Sequence, residues 1–201
     1  LALRLKGFGE IDAISSVHAL DSSVTQGVLA AMVRDNKCVM RQVEGVDKYV
    51  LTPSGREDGE KLLSEELDSS DARAAVQSGY EQFLDLNPAM LQLCTDWQVV
   101  NDGSGEQKLN DHSDSAYDDE VLQRLADLDR QVTRILSDLN EVLIRFSNYP
   151  FRFGTALDKV LAGELEWLTK PIMPSYHTVW FELHEDLLAT LGIDRASESA
   201  S

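Results

Sequence analysis

The sequence predicts a mainly α protein, with an N-terminal helix-turn-helix unit that carries a β-hairpin wing, followed by an all-α helical bundle. Two observations predict this class. Strand-type runs are confined to residues 38–52, and apolar residues recur at helical spacing through most of the remaining chain. A length of 201 residues accommodates one large or two small domains. We place the boundary after Leu67, which gives a front domain, 1–67, and a rear domain, 68–201.

Composition and charge exclude several classes of protein. The chain has 18 basic and 35 acidic residues, a formal net charge of −17, which excludes a generally basic nucleic-acid binder. The front domain is close to neutral, with 8 basic against 11 acidic residues, and the rear domain has 10 against 24. No apolar run approaches the roughly 20 residues of a membrane span, and no secretory signal is visible. Cys38 and Cys94 form no Cys-x-x-Cys pair, so we expect a cytoplasmic protein without a disulfide scaffold.

Two short helices are expected at the start of the front domain. The first helix is predicted by apolar residues at every third position, Ile11, Ile14 and Val17. It is expected to extend through about Ala19. A turn at Leu20-Asp21 leads into a second helix, which Asp21 or Ser22 can cap and which ends near Asn36. Its buried stripe is expected to contain the residues at helical spacing, which are Val24, Val28, Leu29, Met32 and Val33.

A β hairpin and a third helix complete the front domain. Two β-rich runs, 38–43 and 48–52, flank a turn at residues 44–47 that contains Gly45. Pro53 fits the first turn of a helix that continues to Leu67. The inner face of this helix is expected to contain Leu62, Leu63 and Leu67.

The order helix, turn, helix, hairpin, helix is that of a winged helix-turn-helix. The segment Tyr49-Val50-Leu51-Thr52-Pro53-Ser54-Gly55-Arg56 resembles the MarR-like winged-helix regulators, which close the wing with a Leu-Thr-x-x-Gly step into a helix. This likeness covers roughly residues 9–67. The whole chain resembles an actinobacterial group of winged-helix regulators with an acidic helical C-terminal half, whose relatives occur in proteins related to pyruvate phosphate dikinase. The resemblance implies a regulator or sensor rather than an enzyme.

A transcriptional regulator of this kind would bind DNA through the second helix and the hairpin. Candidate residues for base edges are Ser23, Thr25 and Gln26, and candidate cations for the phosphates are Arg34, Lys37, Arg41, Lys48 and Arg56. Specific binders commonly neutralise about 6–10 phosphates, more than these cations supply. Two uses therefore stay open: DNA binding, helped by dimerisation, or a winged helix that docks on a protein partner or serves simply as a scaffold.

The rear domain is expected to contain at least five helices and no strand. The first ends at Asn87-Pro88, because proline disfavours helix in the residue before it, and a second starts there with Met90, Leu91, Cys94 and Trp97 on one face. Two more run through residues 157–168 and from about Ser175 to Gly192.

The most regular apolar pattern of the chain lies between these helices. Its spacing of four and three predicts one helix of about thirty residues, with the stripe Val121, Leu125, Leu128, Val132, Ile135, Leu139, Val142 and Phe146. Such a stripe forms either the core of a bundle or the seam of a dimer. We expect a homodimer from this stripe and from the two-fold sites that helix-turn-helix proteins read.

Candidate chemistry in the rear domain is sparse. A pocket for a small organic effector is predicted from Asp96, Trp97, Gln98, Tyr176, His177, Trp180 and His184. A second hypothesis is a metal site formed by His177, His184, Glu185, Asp111 and His112. The alternative is that these histidines only form hydrogen bonds with neighbouring groups. Zinc sites on a helix usually have the second histidine at position i+4, which here is Phe181. Arg73, Arg124, Arg145 and Arg152 are either anion clamps or ordinary ion pairs. No catalytic motif is present, so we expect neither an enzyme nor a cofactor.

Overall fold

A computed structural model describes residues 1–101 and 107–198, and the fold is mainly helical. The described helices are α1 (Ala2–Lys6), α2 (Ile11–Val17), α3 (Ser22–Arg34), α4 (Pro53–Ser69), α5 (Arg73–Gln98), α6 (Ser115–Val142), α7 (Tyr149–Leu161), α8 (Glu166–Thr169), α9 (Tyr176–Leu191) and α10 (Arg195–Glu198), with a 3-10 helix at Ile144–Asn148. The strands are β1 (Cys38–Val43), β2 (Val46–Leu51), β3 (Val99–Asn101) and β4 (Gln107–Leu109). None of the described helices has the length and apolar character needed to cross a membrane.

The front of the chain contains one helix more than the sequence predicted. Helix α1 precedes the two expected helices, and its Leu3 and Leu5 pack with Ile14, Val17 and Leu29 in a small core. Between α1 and α2, Gly9 pairs with Tyr49 of β2 through two backbone hydrogen bonds of 3.1 and 2.9 Å. The hairpin is therefore fixed to the start of the chain as well as to α3.

The expected stripe of α3 is wrong at three of its five positions. Leu29 is buried and Met32 is half-buried, but Val24, Val28 and Val33 are exposed. Thr25 takes a position on the inner face. The physical reason is that the core beneath α3 is small, so it covers only a narrow side of the helix.

The predicted hairpin is confirmed, with a tighter turn. Strands β1 and β2 pair antiparallel from Cys38 opposite Leu51 to Val43 opposite Val46. Only Glu44 and Gly45 remain in the turn, both with positive φ of 53° and 82°. Two positive φ values suit the right-handed twist of a two-residue hairpin, which explains the glycine.

Helix α4 begins at Pro53 as predicted and connects the front of the chain to its rear. Thr52 caps the helix by accepting from the Gly55 amide at 3.1 Å, while its hydroxyl donates to the carbonyl oxygen of Asn36 at 2.8 Å. Leu63 and Leu67 are buried, but Leu62, also assigned to the inner face, is 64% exposed. Leu67 belongs to the hydrophobic core of the rear helices.

The predicted helix break at Pro88 is wrong, because α5 runs through it. Proline there removes one backbone donor, but Phe83 before it and Met90 after it are both fully buried against the same core. Their burial offsets the lost hydrogen bond. Leu91, expected on the inner face, is exposed.

The long apolar stripe is confirmed as bundle core. In α6 the residues Val121, Leu125, Leu128, Val132, Ile135 and Leu139 are buried within the chain, and α6 packs chiefly against α5. The helix ends at Val142, so Phe146 reaches the core from the 3-10 helix. Since this stripe is covered by the chain's own helices, it is not available as a dimer seam.

The rear of the chain also departs from the all-α expectation. Strands β3 and β4 form a short antiparallel pair. The sequence did not predict it, because these residues lack the alternation of apolar and polar side chains. The single helix expected over residues 157–168 is wrong, because the chain forms two helices there, α7 and α8. They are separated at Gly163, which has a φ of 90°. Helix α9 starts after the Ser175 cap and stops at Gly192, as predicted.

Candidate functional site

The exposed side of α3 is the first part of the candidate site. Asp21 caps this helix by accepting from the Val24 amide at 2.9 Å. Ser23, Gln26 and Arg34 are exposed on α3, as a DNA-contacting surface requires. Thr25 is not with them, because its side chain is buried and its hydroxyl has no partner among the described residues.

The predicted cations around α3 differ in their availability. Arg34 and Arg41 are exposed, and neither forms an ion pair with any residue of 1–101 or 107–198. Lys37 Nζ lies 2.6 Å from a carboxylate oxygen of Asp58. Lys48 stands directly opposite Arg41 in the hairpin, 3.7 Å from Glu10. Its ammonium also lies 5.7 Å from the centre of the Phe8 ring.

An open groove lies between the start of α3 and the tip of the hairpin. Ser22, Ser23 and Gln26 of α3 line it on one side, and residues 45–47 line it on the other. Of the residues that the structure describes, three carboxylates also line this groove, those of Glu10, Asp12 and Asp47, and no lysine or arginine does. The groove is therefore negative, with the cations outside it.

Arg56, the remaining predicted DNA contact, does not line this groove. It lies in the first turn of α4 and lines a different cavity, together with Arg4 and residues at the end of α9. Of the predicted DNA contacts, the structure thus brings only Ser23 and Gln26 together in the groove, with Arg34 at the end of α3 and Arg41 on β1. Arg56 lies at the junction of the front and rear helices.

Asp96, Trp97 and Gln98 lie at the end of α5, and the carboxylate of Asp96 is satisfied by neighbours. Asp96 accepts from Arg124 at 2.7 Å, which makes Arg124 an ion pair, and from Tyr117 through its backbone oxygen at 2.9 Å. The Trp97 ring lies 4.5 Å from the ring of His112. Trp97, Gln98 and His112 line one open cavity of about 350 Å³.

The other predicted effector contacts lie on α9 within the aromatic core. Trp180 donates to Asn87 at 3.0 Å, and its ring centre lies 4.7 Å from that of Phe83. His184 is buried with its ring 5.3 Å from the same phenylalanine. Tyr176 is fully buried and donates to Asp129 at 3.1 Å. These side chains fill a core.

His177 is half-buried beside this core, and burial lowers its pKa. The metal alternative finds no support in the described part of the chain, where no three histidine, cysteine or carboxylate side chains are grouped to hold an ion. His112 instead lies 2.9 Å from Asp118, whose other oxygen accepts from Asn110. This cluster ties the loop after β4 to the first turns of α6.

Sequence reasoning missed the ionic cluster at the junction of front and rear helices. Arg145 binds Glu66 of α4 at 2.9 Å and also pairs with Asp186 of α9. Glu182, one turn earlier on α9, binds Lys6 of α1 at 2.6 Å and pairs with Arg152. Arg145 and Arg152 are thus internal ion pairs. No spacing signal joins residues so distant in sequence.

Asp186 receives a further hydrogen bond, from the hydroxyl of Tyr149 at 2.9 Å. His18, which follows α2, lies beside Asp186, with its Nε2 atom 3.9 Å from the carboxylate. Burial lowers the pKa of His18, and Asp186 opposes this effect. The cluster is built to hold front and rear helices in one arrangement.

The chain was compared with models of protein families, with curated proteins and with solved structures, and none of them matches it. Its function is therefore argued from its own geometry.

Proposed function

We propose that the protein is a transcriptional regulator whose front unit is a winged helix that binds duplex DNA through α3 and the β1–β2 hairpin. One observation carries the proposal: α3 follows α2 after the four-residue turn 18–21, exposes a broad face, and has a hairpin beside it. An isolated β-bridge between Gly9 and Tyr49 also holds the hairpin to the start of the chain. In such units the second helix of the pair enters the major groove.

Charge sets the conditions for this binding. Arg34 and Arg41 form no ion pair with a described residue, and Lys37 and Lys48 pair with half-exposed carboxylates. Each chain therefore offers four cations on or beside α3 and the hairpin. Specific binders neutralise about 6–10 phosphates, and two chains on a two-fold site would reach about eight. The proposal therefore includes a homodimer, formed through a surface other than the α6 stripe.

DNA binding is tested by the mobility of labelled genomic fragments with the full chain, at low and at physiological salt. We expect retention at low salt that weakens steeply with salt. Arg34→Ala and Arg41→Ala should each reduce the slope of log affinity against log salt by about one. Arg134→Ala is the control, since Arg134 is exposed on α6 and has no described ion pair. Failure to retain any fragment at low salt contradicts DNA binding.

The dimer is tested separately by light scattering at micromolar protein. We expect a mass twice that of one chain, because helix-turn-helix proteins usually bind two-fold symmetric DNA sites as dimers. A monomer at that concentration, with DNA binding intact, would contradict the dimer alone.

Two observations favour a second candidate, docking on a protein partner. Val24 and Val28 are 63% and 53% exposed on the free face of α3, where a DNA-binding helix more often carries polar groups. The neighbouring groove is lined by Glu10, Asp12 and Asp47, which repel phosphates. A partner segment with apolar and basic side chains would complement both features.

A further inference from the structure

A cavity of about 500 Å³ lies where α1, α4, the start of α5 and the end of α9 meet. Four arginines line it: Arg4, Arg56, Arg73 and Arg195. Among the described residues, three carboxylates also line it, those of Glu60, Glu185 and Asp194. Acidic residues outnumber basic ones 35 to 18 in the whole chain, so this lining reverses the general balance. Four guanidinium groups that line one cavity of a strongly acidic protein favour the binding of an anion.

The guanidinium groups are available to a ligand. Arg56 is exposed and forms no ion pair with a described residue. Arg4 binds Glu60 at 2.7 Å, Arg73 binds Asp68 at 2.8 Å, and Arg195 pairs with Glu185. One partner of each pair is well exposed, with Glu60 at 47%, Asp68 at 61% and Arg195 at 50%. Solvent-exposed ion pairs contribute little to stability, so a ligand anion can replace these carboxylates at small cost.

Part of the wall formed by α9 is apolar. Leu188 and Ala189 are buried in the last turn of this helix and line the cavity. Gly192, with φ 70°, then turns the chain so that residues 193–195 form a further side. Cavities that hold small molecules are typically about 300–1,000 Å³, apolar, with a few polar groups that fix orientation.

We propose that this cavity binds a small organic dianion of the phosphomonoester or dicarboxylate class. Its apolar part would contact Leu188 and Ala189, and its anionic groups would bind Arg56 and the arginines whose surface carboxylates it replaces. Arginine suits this role because its planar guanidinium binds carboxylate and phosphate in a bidentate manner. A single negative charge would satisfy Arg56 alone, whereas a second charge would also bind an arginine whose surface carboxylate it replaces.

The cavity joins α1 and α4 of the front unit to α5 and α9 of the rear. A ligand there would contact both parts, as an effector site requires. The binding itself does not depend on the proposed DNA binding, and it is measured without DNA.

Isothermal titration calorimetry of the full chain tests the proposal with three probes: phenyl phosphate, phthalate and inorganic phosphate. We expect one site per chain for phenyl phosphate, phthalate or both, with inorganic phosphate weaker because it lacks an apolar part. The organic probe that binds identifies the class. Binding should weaken as salt increases.

Arg56→Gln and Arg73→Gln should each weaken the binding of that probe at least about tenfold. Arg134→Gln, an exposed arginine on α6 outside the cavity lining, should leave it unchanged. Both cavity arginines are exposed, so the melting temperature should stay that of the parent protein, which shows that the variants fold. Millimolar organic probe without measurable heat, or equal affinity in parent and both variants, overturns the proposal.

Discussion

The backbone of Gly55 lies so close to the carbonyl group of Lys37 that a Cβ atom at residue 55 would be only 1.8 Å from the Lys37 oxygen. The same oxygen accepts a hydrogen bond from the Thr52 amide at 3.0 Å. The beginning of α4 is thus seated on the turn between α3 and β1, where Asn36 has a φ of 56°. The Thr-x-x-Gly spacing noted in the sequence has this steric cause: threonine caps the helix and glycine permits the contact.

Gly55→Ala should therefore destabilise the protein by about 3 kcal/mol or more, because neither backbone can move aside as a flexible side chain would. Gly59→Ala is the matched control one turn later in α4, where an added Cβ meets no atom within 4 Å. It should stabilise by up to about 1 kcal/mol through helix propensity. Urea denaturation measures both changes. Equal stabilities would mean that the contact between Gly55 and Lys37 is absent in solution.

Local chemistry made the hairpin and the helix starts predictable from sequence. The Glu44-Gly45 turn, the Thr52 cap and the Ser175 cap each act within a few residues. The break expected at Pro88 failed for the opposite reason, since a local rule was overruled by burial of Phe83 and Met90 in a core supplied by distant helices.

The candidate sites were also hard to predict, because they depend on contacts between residues that are distant in sequence. Apolar spacing on α3 identified an amphipathic helix, but it could not tell that Val24 and Val28 face solvent, because their exposure depends on how small the underlying core is. The pairing of Lys48 with Glu10 depends on the tertiary fold. The arginine-lined cavity is assembled from residues 4, 56, 73 and 195, a combination that no motif contains.

Asp186 is expected to be among the most sensitive polar positions. It is fully buried and receives hydrogen bonds from Arg145 and Tyr149. Asp186→Asn should cost about 3–5 kcal/mol, because it leaves Glu66 as the one remaining ionic partner of the buried Arg145 charge among the described residues. Glu164→Gln is the control, since it breaks an exposed pair with Lys159 and should cost less than about 1 kcal/mol. A loss from Asp186→Asn no larger than the control would show that Glu66 alone compensates Arg145.

His18 should make stability depend on pH. Burial lowers its pKa, so the folded protein holds the neutral imidazole between the Arg145 carbonyl, 3.3 Å from Nδ1, and the Asp186 carboxylate. The unfolded chain binds a proton near pH 6.5. The contribution of His18 to stability is therefore fully present above about pH 6.5 and is lost as the pH falls from there toward the lower pKa of the folded state.

The measurement is the free energy of unfolding at about pH 7.5 and about pH 5.5, on either side of the pKa of an unperturbed histidine. His18→Gln should flatten this dependence. His177→Gln measures how much of the pH dependence of the unfolding free energy comes from the half-buried His177, whose pKa is also lowered by burial. If His18→Gln retains the full dependence of the parent protein, His18 is accessible to protons in the folded state.

Val28 separates the two candidate functions of the α3 face. It is 53% exposed, so Val28→Lys should leave the melting temperature within a few degrees of the parent protein. If α3 enters a DNA groove, the new cation should strengthen binding and raise the salt slope by about one. Leu91→Lys, at an equally exposed position on α5, adds the same charge elsewhere and should leave both quantities unchanged. Weaker DNA binding by Val28→Lys alone, with stability intact, would exclude α3 as a phosphate-facing helix and favour a face whose exposed valines dock on protein.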